Sequence, residues 1–82
     1  MKKKYMVFCL EKNTSAIFVG VFKKLPIHFG VIIAEEVQKR EDGSIHAFIT
    51  MGKEQRIIEY IAIPTDKDKV TEEEAINVLL NS

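Results

Sequence analysis

Cysteine is nearly missing from this chain of 82 residues, with Cys9 the only one, and tryptophan is absent. One cysteine cannot build a disulfide framework. The two histidines, His28 and His46, stand too far apart for a zinc spacing. Neither a metal centre nor a cofactor is therefore expected. Long apolar runs are also missing: none approaches the roughly 20 residues that cross a bilayer, so no membrane association is expected. Glycine loops that cradle phosphates, the nucleophile elbow and the zinc signatures are absent. Net charge is absent too, with 12 basic against 12 acidic side chains.

What is present is a 46% hydrophobic chain with no repeat, no low-complexity tract and no linker-like stretch, which predicts one small globular domain over residues 1–82. A domain of this size buries only about 60–65% of its unfolded surface, so its stability margin is thin and burial against a partner is a natural supplement. Cys9 sits inside the apolar run "YMVFCL", where a thiol behaves as a small hydrophobe. That setting points to a reducing, cytoplasmic compartment. The opening "MKKKYMVFCL" imitates the charged start of a signal peptide, but its apolar part ends at Glu11, too early for one, so secretion is not expected.

Charge is unevenly laid out. Residues 1–25 hold six lysines (Lys2, Lys3, Lys4, Lys12, Lys23, Lys24) against Glu11, while the last 19 residues hold Lys67 and Lys69 against Asp66, Asp68, Glu72, Glu73 and Glu74. The ordinary reading is solvated termini, and the sharper one a dipolar surface able to steer a partner or to favour head-to-tail self-association.

The element pattern predicts an α+β fold: a four- or five-stranded antiparallel sheet with a C-terminal amphipathic helix on one face. "KYMVFCLE" has strand composition, followed by turn formers. Residues 15–25 are ambiguous. Ile17, Phe18, Val21, Phe22 and Leu25 share one arc of a helical wheel, yet Ile, Val, Phe and Gly are mediocre to poor helix formers, and the balance favours a strand. Three further runs, "HFGVIIAEEVQKR", "IHAFITM" and "RIIEYIAIP", are joined by "EDGS" and "GKEQ" and form a meander. The ending carries a capping box, Thr71 with Glu74, and a wheel that places Ala75, Ile76, Val78, Leu79 and Leu80 on one side.

Two-residue loops at Asp42-Gly43 and Gly52-Lys53 would pair Lys39 with His46 and His46 with Glu59. A four-residue second loop would set His46 opposite Ile61 instead. Under the first register, one face holds Ile45, Ala47, Ile49, Met51, Ile58, Tyr60 and Ala62. The other interleaves Glu35, Lys39, His46, Thr50 and Glu59 with Val37, Phe48, Ile57, Ile61 and Ile63.

A His46–Glu59 pair is the weak catalytic candidate, since a carboxylate beside an imidazole can poise it as a general base. Against it stands the ordinary reading of a cross-strand charge pair. His28 reads as a loop histidine and Cys9 as a core thiol. Glu35 and Glu36 would face opposite sides of a strand, and Asp66 and Asp68 lack the rest of a calcium loop. A sheet followed by a helix resembles the order in double-stranded RNA-binding domains. Here, however, the helix opens with "TEEE", the wrong charge for phosphate. The remaining nucleic-acid reading uses Lys2, Lys3, Lys4, Lys12, Lys23 and Lys24 as one basic end.

The leading expectation is a non-enzymatic accessory or regulatory protein that binds itself, as a homodimer, and a larger protein target. Both faces of the meander carry bulky aliphatics and one short helix covers only one, which leaves Phe48, Ile57, Ile61 and Ile63 in need of a cover. The last strand, "RIIEYIAIP", offers a sheet edge as a second contact.

Overall fold

The computed structural model describes residues 4–11, 15–26 and 34–81. Among the described residues, five strands, β1 (Lys4–Glu11), β2 (Ile17–Phe22), β3 (Glu36–Lys39), β4 (Ile45–Met51) and β5 (Arg56–Thr65), precede one helix, α1 (Glu72–Leu80). The strands form a single antiparallel sheet in the order β2-β1-β5-β4-β3, so the fold is α+β with five strands. The β1–β2 hairpin adds to the β3-β4-β5 meander edge to edge, through β1 and β5.

That junction corrects one expectation. β5 is the central strand, paired along one side with β1 and along the other with β4, so it offers no edge. Its apolar residues on both faces fit a strand flanked on both sides, with Ile61 buried on one face and Ala62 on the other. Among the described residues the edges are β2 and β3. Pro64, which has no N–H to give, lies beyond Ala62, the last β5 residue with a β4 partner.

Residues 17–22 are a strand, and the helix-like spacing has a specific cause. The β1–β2 register runs Val7↔Gly20 and then Phe8↔Phe18, so Val19 is an extra, bulged residue. Gly20 sits at φ 154°, a conformation side-chain-bearing residues rarely adopt. Because of the bulge, Phe18 and Val21, three apart, point to the same face.

Alternation along the strands divides the core in two. Val7, Ile45, Ala47, Ile49 and Ala62 are buried on the first face. Leu25 and Ala34, the described ends of the connection between the two sheet edges, pack against them. The second face buries Met6, Phe8 and Ile61 beneath Ala75 of α1, with Phe18, Val21, Ile63, Val70, Ile76 and Leu79 packed around them. Phe8 is fully enclosed and meets Phe18 in a tilted ring pair with centroids 5.5 Å apart. So α1 covers part of the face on which Ile61 and Ile63 lie: Ile61 is buried beneath it and Ile63 is partly buried beside it. Val78, Leu80 and Met51, assigned inward by periodicity, are exposed. A short helix presents only a narrow inward stripe, here Ala75, Ile76 and Leu79, and Met51 ends its strand at a turn.

Thr71 caps α1 as the spacing predicts: its Oγ1 accepts from the Glu74 N–H at 3.2 Å. The Glu74 carboxylate accepts from the Thr71 hydroxyl at 3.0 Å and from Lys67 at 3.5 Å, and these bonds hold its pKa below the ordinary carboxylate value.

Both meander turns differ from two-residue loops. At the first, Arg40 N–H donates to Ser44 O (2.9 Å) and Gly43 N–H to Arg40 O (3.0 Å), giving a three-residue loop with Gly43 at φ 88°. A type I′ turn would need positive φ at Asp42 as well. Asp42 instead accepts from the Ser44 N–H (2.9 Å) and hydroxyl (2.6 Å), which lowers the Asp42 pKa. The consequence is a one-residue slip: Gln38, not Lys39, pairs with His46, and Val37 turns to the first face opposite Ala47. The second turn is the four-residue version over Gly52 to Gln55, so His46 stands opposite Ile61.

Candidate functional site

On the second face, α1 reaches over β2, β1 and the lower part of β5. Toward the Gly52–Gln55 turn, no described residue packs over the sheet, and a depression of about 250 Å³ opens there, lined by Leu10, Phe48, Ile57 and Glu59. Register explains how residues from three strands meet. Glu36, Phe48, Glu59 and Leu10 are consecutive cross-strand partners, forming one row across β3, β4, β5 and β1 on the same face. The next row, Thr50 and Ile57, forms the outer lip, with Ile57 58% exposed. In the row nearer the helix, Gln38, His46, Ile61 and Phe8 lead into the covered core.

His46 and Glu59 do meet, although not as direct partners. The imidazole reaches diagonally, Nδ1 to Oε2 at 2.6 Å, and both side chains are mostly buried. This contact fixes the Glu59 carboxylate in the floor of the depression. The chemistry around it is limited by sheet parity. Cys9 pairs with Tyr60 and so lies on the first face, across the sheet from His46. The Thr50 hydroxyl donates to Glu35 (2.9 Å) and the Ser44 hydroxyl to Asp42, so neither is presented to the imidazole. Among the described residues no three of His, Cys, Asp or Glu come together as a metal-binding group. Burial and the neighbouring Cys9 raise the Tyr60 pKa, on the face remote from the depression.

Glu35 and Glu36 do not face apart. Glu35 precedes β3 and is therefore free of strand alternation: its carboxylate bonds Thr50 on the second face. Glu36 pairs with Phe48 there and accepts from Gln38 at 2.9 Å. The sequence contains the signal for this site only in part. Phe48, Ile57 and Glu59 follow from the β4–β5 alternation, but Leu10 and Glu36 enter only once β1 is known to pair with β5 and the first turn to hold three residues.

Of the lysines assigned to a basic end, Lys4 is ion-paired with Asp68, and Lys23 and Lys24 are exposed just beyond β2. Lys2, Lys3, Lys12 and also His28 lie outside the described residues. No described helix is long and apolar enough to cross a membrane. Compared with known protein families, curated proteins and solved structures, the chain has no significant match.

Proposed function

We propose that this protein is a non-enzymatic interaction module that docks a larger protein on the half of its second face that α1 leaves open. One observation carries the reading: Leu10, Phe48 and Ile57 form a contiguous apolar depression beside an otherwise well-packed core. Its volume falls below the roughly 300–1,000 Å³ of small-molecule sites, which fits capture of a partner's side chain better than a metabolite. The mostly buried thiol of Cys9, which forms no disulfide, suits the reducing cytoplasm as the place of action. Photo-crosslinking tests the reading. With a benzophenone side chain at position 57, a discrete adduct with one protein is expected in cells that make this chain. None is expected from the same group at position 67, on the exposed loop before α1. Equal labelling from both positions, or from neither, removes the support.

A second reading, self-association, is favoured by the β2 edge. β2 carries no charge and no proline, and it exposes Ile17 and Val19 at 63% and 50%. Such an edge is a template for a second copy in antiparallel addition. Light scattering over a concentration range should show a dimer that Val19→Lys converts into a folded monomer. A wild type that remains monomeric throughout contradicts it.

A further inference from the structure

The open depression has a charge as well as a shape. In its central row Phe48 is bracketed by Glu59 on β5 and Glu36 on β3, each its direct cross-strand partner. Neighbouring strands lie about 4.8 Å apart, so the two carboxylate-bearing backbones straddle the ring at about 10 Å. Glu35 adds a third carboxylate at the lip through Thr50. Among the described residues no lysine or arginine pairs with any of the three. Arg40 donates to Gln38, Arg56 pairs with Glu11 at 3.2 Å, and Lys67 with Glu74. Their partners inside the protein are a hydroxyl, an amide and an imidazole.

From this arrangement we infer that the depression selects a basic amphipathic segment of its partner. One arginine or lysine of that segment lies over the Phe48 ring with its cationic head between Glu59 and Glu36, and a neighbouring aliphatic side chain rests on Leu10 and Ile57. An aromatic face attracts a cation through its quadrupole, and flanking carboxylates in a partly desolvated setting reinforce that attraction. A central aromatic ring with a polar rim is also the usual anatomy of an interface hot spot. This inference rests on the interaction reading above and specifies the chemistry of the partner.

The test uses the full chain, isotope-labelled, titrated with two short extended peptides, one alternating leucine with arginine and the other leucine with glutamate. NMR shifts report both site and affinity. The basic peptide should move the signals of Leu10, Phe48 and Ile57 and bind about tenfold or more tightly than the acidic one, with affinity falling as salt rises. Glu36→Gln, at an exposed position that leaves the fold intact, should weaken the basic peptide severalfold, and Glu36→Gln with Glu59→Gln should erase the preference between the two. Equal binding of both peptides, binding of neither, or shifts confined to the glutamates that open α1 would each overturn the inference. So would movement of the same signals on simple concentration of the protein, because the occupant would then be a second copy. If the preference fails while crosslinking from position 57 still yields a partner, the charge selection falls and the interaction surface stands.

Discussion

Ile57 and Ile61 lie on the same strand and point to the same face, one in the open half and one under α1. Ile→Ala at each therefore isolates the effect of cover. Ile61 is 5% exposed, so its truncation removes a nearly full burial contribution and leaves a cavity beneath the helix, about 3 kcal/mol in all. Ile57 is 58% exposed and has no packed shell to collapse, so the same change should cost about 1 kcal/mol. The loss of β propensity is common to both sites and cancels in the comparison. Urea unfolding, with a slope of about 1 kcal/mol/M for a domain of this size, should move its midpoint by about 3 M for Ile61→Ala and by 1 M or less for Ile57→Ala. Equal shifts would refute the division of the second face into covered and open halves.

Four smaller predictions concern the turns and the cap. Gln55 holds φ 58°, a left-handed conformation, so Gln55→Gly should stabilise the fold by about 0.5 kcal/mol after the greater freedom of glycine when unfolded is deducted, read as a higher urea midpoint. Gly43→Ala should be destabilising, by about 1–3 kcal/mol, because φ is 88° and the added Cβ would stand 3.2 Å from Pro64; an unchanged thermal midpoint would contradict the turn geometry. Thr71→Ala should cost about 1 kcal/mol through the lost helix cap. Since the pKa of Glu74 is lowered in the folded chain, its contribution is present above the ordinary value of 4.5 and lost as pH falls through the folded value, so helical circular dichroism should weaken on acidification.

Much of this architecture is visible in the amino-acid pattern, and the errors share a physical origin. The strands, the capped helix and the meander follow from alternation and turn chemistry, which are local. What is not local is which strands adjoin, and β5 reads as an edge only until β1 is placed beside it. The apolar spacing of residues 17–22 looks helical because a bulge at Val19 converts a period of two into a step of three. "EDGS" supports a two-residue loop and a three-residue bulged loop equally, and the side-chain bonds from Asp42 to Ser44 favour the second. That single residue turns Val37 inward and brings Glu36 to Phe48. His46 and Glu59 meet by a diagonal reach, a geometry that strand register alone does not report. Assigning Ile61 and Ile63 to a partner surface rested on the helix covering the other face. Leu25 and Ala34 pack on that other face instead, and α1 lies on the second.

Methyl NMR with a soluble paramagnetic chelate tests the central claim most directly, because it reads the exposure of individual isoleucines in the free protein. The open half of the second face predicts strong broadening of Ile57 and none of Ile61, with Ile17 broadened in dilute solution. If Ile57 is as protected as Ile61 in dilute solution, the surface is already covered and the protein has no open face with which to dock a partner.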